Sequence, residues 1–449
     1  MSKTVDIHQM IDNARFNRFH WGVLLWSFLI IIFDVYDLVI YGVVLPVLMD
    51  KWSLTPMEAG TLGSYAMFGM MFGALIFGPI SDRIGRKKAI IICLALFSSC
   101  TLINTFTVNP TQFGIARFFA GFGIGGLMPN AVALITEYAP KKIRSLLTTI
   151  MFSGYAVGGM ISAGLGIALV PNFGWQSVFY IGALPLLVIP VIMRYLPDSI
   201  GFLVRSKNNK EVGKVLAKID PTFTPSDDDV YVIPEKIPGV SIVQLFKNGR
   251  GVSTVMFWIS FFMCLLMVYG LNSWLPKLMT EAGYPLGSSL SFLLVLNFGA
   301  MIGAIAGGYL GDKFHLKKVS IVYFTLAVVS LALLGFKSNT FVLYLLLGIA
   351  GATTIGTQIL LYAYVAQFYP MDIRSTGIGW ASGVGRIGGV VGPIMGGALL
   401  GAGLPFQVNF MVFAIPGAIA AIAVGLVSVK YAFGSSHAKV EAELEPVKA

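Results

Sequence analysis

Charged residues are scarce in this chain. They make up 12% of its 449 residues, whereas a soluble globular protein carries roughly 25%. Hydrophobic residues account for 56%, and the mean hydropathy is +0.80. This composition excludes an ordinary soluble enzyme or binding module. It indicates a protein that crosses a lipid bilayer several times.

Cysteine and histidine are also rare. The three cysteines, Cys93, Cys100 and Cys264, fall inside apolar runs, and no disulfide or metal-ligand spacing is present. The four histidines fall outside the runs that we assign as membrane spans. The sequence therefore predicts no metal site and no cofactor. A proton carrier within the membrane then has to be a carboxylate.

Twelve apolar runs are long enough to cross a bilayer, which takes about 20 residues of helix. The sequence therefore predicts an all-α polytopic membrane protein with 12 transmembrane helices. The runs lie at 21–49, 57–80, 89–107, 112–136, 146–170, 177–196, 252–276, 287–310, 318–336, 340–366, 376–400 and 407–430.

Basic residues predict the orientation because lysine and arginine favour cytoplasmic loops. With the N-terminus inside, the outer loops contain only Lys51, Lys277 and Lys337. The inner loops contain "DRIGRKK", "APKKIRS", "DKFHLKK" and "DIRS". Both termini are then cytoplasmic. The net charge of +10 follows from this topology, and no nucleic-acid partner is expected.

The two halves of the chain repeat at a constant spacing of 230 residues. Pro46 matches Pro276, and Asp82 matches Asp312. An even number of spans per repeat gives parallel halves, related by an axis along the membrane normal. The predicted parts are a six-helix bundle at 1–196, a cytoplasmic linker at 197–250, a second six-helix bundle at 251–431 and a cytoplasmic tail at 432–449. In the linker, four apolar residues at helical spacing predict a short amphipathic helix: Val212, Val215, Leu216 and Ile219.

The motif "GPISDRIGRKK" at 78–88 joins the second and third spans. Gly78 is expected to allow close helix approach, and Asp82 to meet a helix end and a basic residue, forming a latch on the cytoplasmic side. The second copy has His315 in place of Gly85. Other charges near the inner face are assigned to the same cytoplasmic gate: Arg83, Arg86, Glu137, Arg144, Asp312 and Arg374. The alternatives are an ordinary basic loop and simple capping by solvated residues.

The fourth span contains "RFFAGFGIGG", in which Gly121, Gly123 and Gly126 match the dinucleotide fingerprint GxGxxG. We reject a nucleotide site because no strand precedes the motif and no βαβ unit contains it. Small residues in a membrane span instead predict a close helix–helix face.

Two carboxylates interrupt the first span, in "FDVYDLVIYG". Asp34 and Asp37 are spaced i, i+3 and therefore share a helix face. Their counterparts in the second half are Cys264 and Met267, so the two halves are functionally unequal. We expect these acids to handle protons together with Arg117 of the fourth span. The alternatives are a structural ion pair, or an Arg117 side chain that reaches the outer interface.

Arg386 lies near the middle of the eleventh span. A charge at that depth costs about 2.5–3.5 kcal/mol on insertion scales and usually faces an interior cavity. The planar guanidinium matches a carboxylate with two hydrogen bonds. We therefore expect Arg386 to bind an anionic substrate, with Arg117 as the other candidate. A structural pair with an internal acid is the alternative.

These motifs resemble the aromatic acid:proton symporters of the major facilitator superfamily. "FDVYDLVIYG" is similar to the D-G-x-D element of that family, although Val35 replaces its glycine. The resemblance continues in "GLMPN", "EYAPKKIRS", "LPDS", "SWLP" and "RSTGIGWASGVGRIG" and covers nearly the whole chain. Bacterial benzoate transporters resemble it most. The resemblance implies alternating access between two six-helix bundles in the bacterial cytoplasmic (inner) membrane.

The predicted function is proton-coupled import of an aromatic carboxylate, with benzoate as the first candidate. The protein is expected to act as a monomer and not as an enzyme. Aromatic and polar residues of the spans are expected to frame the substrate ring: Tyr41, Tyr155, Tyr269, Asn272, Trp274, Gln358, Tyr362 and Trp380. One alternative is the same mechanism with a hydroxybenzoate or a muconate-type acid. Another is a drug:proton antiporter, against which Arg386 argues.

Overall fold

The computed structural model describes residues 4–226, 229–232, 242–336, 339–370 and 373–432, without the side chains of Ser145, Asp312 and Ser375. The expectations for Lys337 and for the tail beyond residue 432 lie outside these residues.

Helices dominate the described chain. The first half contains α1 (Ile7–Asp12), α2 (Arg18–Trp52), α3 (Pro56–Ile84), α4 (Arg86–Asn104), α5 (Pro110–Tyr138), α6 (Arg144–Phe173), α7 (Gln176–Gly182), α8 (Pro185–Tyr195), α9 (Ile200–Arg205) and α10 (Asn209–Ile219). The second half contains α11 (Gly251–Glu281), α12 (Leu286–Phe314), α13 (Leu316–Leu334), α14 (Thr340–Phe368), α15 (Arg374–Gly401) and α16 (Phe406–Leu426). Two short strands, β1 (Thr4–Asp6) and β2 (Val230–Val232), pair in parallel.

Twelve helical segments of the described chain are long and apolar enough to cross a membrane, with α7 and α8 together forming the sixth. They coincide with the twelve predicted spans. The predicted all-α membrane architecture is therefore confirmed. The amphipathic helix predicted in the linker is also confirmed: α10 buries Val212, Val215, Leu216 and Ile219.

The chain divides into two compact units. The first comprises Met1–Val44 and Tyr65–Lys236, and the second comprises Leu45–Ser64 and Ile237–Ala449. The adjoining ends of α2 and α3 therefore belong to the second unit.

Close helix packing in the first unit depends on the glycines of "GFGIGG". A Cβ on Gly121 would meet the carbonyl group of Ala66 on α3, and a Cβ on Gly123 would lie 2.8 Å from the carbonyl oxygen of Cys93 on α4. These glycines let α5 lie directly against both neighbours. The predicted helix–helix face is thus confirmed.

Two expectations from the sequence were wrong. His20 lies in the first turn of α2 and is buried, although we placed every histidine outside the spans. It lies 14 residues from Asp34, about 21 Å along a helix, so a carboxylate is still the nearer proton carrier. A Cβ on Gly78 would meet no atom of the described chain within 4 Å, so Gly78 does not mediate a close helix approach there.

Candidate functional site

An acid–arginine site lies in the first unit and joins α2, α4 and α5. Arg117 Nη1 donates to Asp37 Oδ2 at 2.7 Å, and Arg117 Nη2 donates to the backbone oxygen of Asp37 at 3.0 Å. Thr101 Oγ1 donates to Asp37 Oδ1 at 2.6 Å. Asp37 and Thr101 are 0% exposed and Arg117 is 1% exposed. The site is therefore a fully buried ion pair with a third hydrogen-bond donor.

The environment of this pair explains why it persists in an apolar bundle. Desolvating two charges costs several kcal/mol per ion, which is offset only by good geometry and additional hydrogen bonds. Both carboxylate oxygens of Asp37 receive a donor, and Arg117 makes two bonds to the same residue. Asp34, one turn earlier on α2, is also buried at 2% exposure. The sequence spacing left the partner of Arg117 open, and the structure gives Asp37.

A second polar site, which we call the arginine pocket, lies in the second unit. The Tyr362 hydroxyl on α14 hydrogen-bonds to the side chains of Gln358 and Ser382 and lies in the electrostatic field of Arg386. Phe261 on α11 packs edge-on against Tyr362, with ring centroids 4.9 Å apart. Three predicted site residues therefore meet here: Gln358, Tyr362 and Arg386.

The other predicted pocket residues of the second unit lie in different surroundings. Trp274 is fully buried, and its Nε1 donates to the carbonyl oxygen of Pro393 at 2.8 Å, which ties α11 to α15. Trp380 is 46% exposed and stacks on Trp258 at 5.9 Å. Tyr269 is partly exposed on α11.

Asn272 belongs to a buried amide pair. Its Oδ1 accepts from Asn297 Nδ2 at 3.4 Å, and its own Nδ2 donates to the carbonyl oxygen of Val268 at 2.9 Å. In the first unit, Tyr41 is buried, and its ring lies 6.3 Å from that of Phe113.

The expected gate charges in the first unit form local pairs within that unit. Arg86 Nε lies 2.8 Å from Glu137 Oε1, whereas its Nη2 is 4.0 Å from the half-exposed carboxylate of Asp82. Arg144 Nη2 lies 2.5 Å from Asp12 Oδ1, a partner that the sequence did not indicate.

The remaining gate residues show fewer contacts. Arg374 Nε donates to the carbonyl oxygen of Tyr369 at 3.4 Å. Arg83 is exposed at the end of α3. Tyr155 of the predicted pocket is partly exposed on α6, and the side chain of Asp312 lies outside the described part of the chain.

Asp198 occupies the helix end that we had expected Asp82 to meet. Its Oδ1 accepts from the backbone N–H of Lys87 at 3.2 Å, in the first turn of α4. A carboxylate at a helix N-terminus satisfies free N–H groups and favours the helix dipole. Gly85 has a φ of +95°, and a Cβ there would lie 2.6 Å from Asp198 Oδ2. The motif therefore needs glycine at this position.

Besides Asp12 and Asp198, sequence reasoning missed four further residues: Thr101, Phe261, Asn297 and Ser382. Ser382 had a usable signal because it lies four residues before Arg386 and therefore shares its helix face. Thr101, Phe261 and Asn297 carried no comparable signal, since each meets its partner only through packing between helices.

The chain is similar in sequence to a known family and to several of its members. A sequence profile described as the Major Facilitator Superfamily matches residues 27–314 and 295–448. The chain is 49% identical over 436 residues to a benzoate transport protein of Acinetobacter baylyi, covering 95% of this chain and 94% of that protein. It is 37% identical to a gentisate transporter of Corynebacterium glutamicum, covering 93% and 89% of the two chains.

A third relative is the 4-hydroxybenzoate transporter PcaK of Pseudomonas putida, 34% identical over 95% of this chain and 97% of that protein. Among solved structures, a bacterial homologue of the human lysosomal transporter Spinster superposes with a TM-score of 0.74 at 18% identity, covering 93% and 99% of the two chains. A D-xylose–proton symporter superposes with a TM-score of 0.70 at 16% identity, covering 92% and 98%. At these identities the structural likeness concerns the fold alone.

Proposed function

The chain belongs to the Major Facilitator Superfamily, and we propose that it imports an aromatic carboxylate, benzoate above all, by proton symport. It is a multi-pass membrane transporter of aromatic acids and not an enzyme. The direction of transport, the proton coupling and the choice of benzoate are the proposal. Its location in the bacterial inner membrane, its cytoplasmic termini and its action as a monomer belong to the same proposal.

The arginine pocket carries the substrate part of the proposal. An arginine can present two parallel donors to a carboxylate. Arg386 acts electrostatically on the Tyr362 hydroxyl, which also hydrogen-bonds to Gln358 and Ser382. The buried ring of Phe261 packs edge-on against Tyr362 and makes the immediate surroundings of its hydroxyl aromatic. A cation and an aromatic surface together suit an aromatic anion and disfavour the cationic cargo of a drug antiporter.

The acid–arginine site carries the proton part. Import of an anion into a negative interior costs about 2.3 kcal/mol per charge per 100 mV, and a co-transported proton cancels that charge. Protonation of Asp37 would remove the attraction that holds Arg117. This pair is therefore a two-state element that a proton can bias, and Asp34 is a second buried acid on the same helix.

Alternating access between the two six-helix halves would link these sites. In this proposal the inner charges Asp82, Arg86, Glu137 and Arg144 rearrange as the cytoplasmic side opens and closes. Their present partners within the first unit are one set of contacts in that cycle.

The test is uptake by proteoliposomes with independently imposed pH and voltage gradients. Labelled benzoate should accumulate when the outside is made acidic, and an Asp34→Asn variant should lose accumulation while still exchanging substrate. Normal accumulation by Asp34→Asn would remove that acid from proton coupling. No benzoate uptake under any gradient would reject the proposed function.

A hydroxylated benzoate is the second candidate substrate, because two of the similar proteins are named for gentisate and for 4-hydroxybenzoate. Competition of labelled benzoate uptake by benzoate, 4-hydroxybenzoate, gentisate and muconate separates these cases. We expect unlabelled benzoate to compete best. Stronger competition by a hydroxylated acid would reassign the principal substrate.

A further inference from the structure

The third membrane helix, α4, carries a row of buried polar residues beside the acid–arginine site. Ser98, Thr101 and Asn104 are spaced i, i+3, i+6, so that successive members are neighbours on the helix surface. Each is 0% exposed. The row extends about 9 Å along the helix axis and ends at Asn104, the last residue of α4. Thr101, its middle member, donates to Asp37.

The residues on either side of Thr101 have polar atoms that the described protein does not satisfy. Asn104 Nδ2 and Oδ1 and Ser98 Oγ are buried without a hydrogen-bond partner among the described residues. Arg117 Nε, in the adjacent ion pair, is in the same condition. Buried polar groups are nearly always paired with protein or with ordered water. Helical serine normally bonds the carbonyl group one turn earlier, which Ser98 does not do.

The second half of the chain lacks this row. The residues 230 positions later are Val328, Leu331 and Leu334 on α13, all apolar. Arg117 likewise corresponds to Leu347. The polar row therefore accompanies the acids and the arginine of the first half and is not part of the duplicated scaffold.

We propose that Ser98, Thr101 and Asn104 line a hydrated path that brings protons to Asp37, with Asn104 at the end of the polar row. This inference rests on the proposed proton symport and names the route that supplies it. Asn104 offers both a donor and an acceptor to a water molecule. Such a site suits water, which needs 2–4 polar partners. The Asn104 end of α4 is the outer end in the proposed orientation, so the polar row runs toward the side from which protons are imported.

The transfer step conserves atoms and charge. A hydrated proton passes along the waters bound at Asn104, and one O–H bond forms at the Asp37 carboxylate while a neutral water remains. The carboxyl group becomes neutral, and its ion pair with Arg117 is lost. The titratable and charged groups around Asp37 are Arg117 on α5, Cys100 on α4, and Asp34 and Tyr36 on its own helix.

If protons follow this path, replacing one of its polar residues by an apolar residue should impair proton-driven uptake but not exchange. Asn104→Leu introduces the residue that the second half has at the equivalent position. Uphill benzoate uptake driven by a pH gradient should fall by at least about tenfold, the equivalent of one lost hydrogen bond in a transition state. Exchange of internal for external benzoate should persist, since that reaction needs no net proton movement. Asn104→Gln retains the amide and should restore much of the uphill rate.

The matched control is Ser320→Ala on α13. Ser320 is also a buried serine whose hydroxyl has no partner among the described residues, but it lies in the half without acids. Its removal should leave uphill uptake and exchange unchanged. A general effect of removing a buried polar group that has no partner among the described residues would appear in this variant as well.

The measurement uses proteoliposomes containing a pH-sensitive dye and labelled benzoate in parallel. Dye acidification that accompanies benzoate entry should slow in Asn104→Leu and recover in Asn104→Gln. Unchanged uphill uptake in Asn104→Leu, or an equal loss of uptake and exchange, would overturn the proposed path. If the wild-type protein itself shows no proton entry with benzoate, the proposed symport fails instead, so the two failures are distinguishable.

Discussion

At the scale of single residues, the two halves divide the chemistry. Asp37 and Arg117 form a buried pair in the first unit, whereas Arg386 lies beside Tyr362 in the second. Removing one member of a buried ion pair costs free energy because the other charge is left unpaired. The buried Asp37 and Arg117 therefore depend on each other. Substitutions of Arg386 should therefore change substrate affinity, whereas substitutions of Asp37 should change both transport and protein stability.

Arg386→Lys tests the carboxylate site. Lysine keeps the positive charge but replaces the planar fork with a single ammonium group. We expect the apparent affinity for benzoate to fall about tenfold, a loss of about 1.4 kcal/mol, with less change in maximal rate. Concentration-dependent uptake in proteoliposomes measures both. Arg205→Lys, at an exposed arginine at the end of α9, is the control. An unchanged affinity in Arg386→Lys would place the proposed carboxylate site elsewhere.

Asp37→Asn tests the buried ion pair. The change leaves Arg117 charged and uncompensated, which costs about 3–5 kcal/mol, so the thermal unfolding temperature in detergent should drop clearly. Adding Arg117→Gln removes the stranded charge and should recover most of this stability.

Neither the single nor the double variant should accumulate benzoate against a gradient. Asp82→Asn is the control for stability alone, since that carboxylate is half-exposed and 4.0 Å from Arg86. An Asp37→Asn protein as stable as the wild type would show that the pair does not contribute to folding.

At the scale of elements, the repeated loops differ in backbone strain. The loop between α3 and α4 reaches its left-handed conformation with Gly85, whereas His315 adopts a φ of +69° at the equivalent place between α12 and α13. Non-glycine residues there cost about 1–3 kcal/mol. The degraded copy of the motif is therefore tolerated but less favourable.

A pair of opposite substitutions checks this comparison. Gly85→Ala should lower the free energy of unfolding by about 1–3 kcal/mol, because its Cβ adds strain and would meet the Asp198 carboxylate. His315→Gly should instead raise it by up to about 1 kcal/mol, less the greater freedom of glycine in the unfolded chain. Thermal unfolding of both variants measures the signs. Equal effects of the two changes on the free energy of unfolding would contradict the conclusion that the loop with His315 is strained and the loop with Gly85 is not.

The amino-terminal segment is attached to two other parts of the first unit. β1 pairs with β2 of the linker, Asn17 Nδ2 donates to the carbonyl oxygens of Lys218 and Ile219, and Asp12 contacts Arg144. These contacts join three separate parts of the first unit: the amino-terminal segment, the linker and the start of α6.

Asp12→Ala measures how much this attachment contributes. It removes the ion pair with Arg144, and we expect the free energy of unfolding to fall by about 1 kcal/mol, the upper end for a partly exposed pair. Glu211→Ala, which breaks the exposed pair with Lys214, is the control and should change stability by less than about 0.5 kcal/mol. Chemical or thermal unfolding in detergent compares them, and an equal effect would argue against a special role for the amino-terminal segment.

At the scale of the whole molecule, the two halves share a repeated framework and differ in their charges and buried polar residues. The 230-residue repeat recurs in glycines, prolines and loop charges, which are the residues that helix packing and topology require. The acids, Arg117 and the polar row on α4 have apolar or neutral counterparts in the second half. An asymmetric carrier thus arises within a symmetric scaffold.

The sequence by itself determined the twelve spans, the amphipathic linker helix and the unequal charges of the two halves. Hydropathy, helical spacing and charge are local properties, and the membrane imposes them directly on the chain. Only the tertiary structure decided which acid holds Arg117, that Asp12 pairs with Arg144, and that Ser382 and Gln358 hold Tyr362. Both acids share one face of α2, so spacing could not choose between them. That choice depends on how α4 and α5 pack, because Thr101 and Arg117 reach the same carboxylate from separate helices.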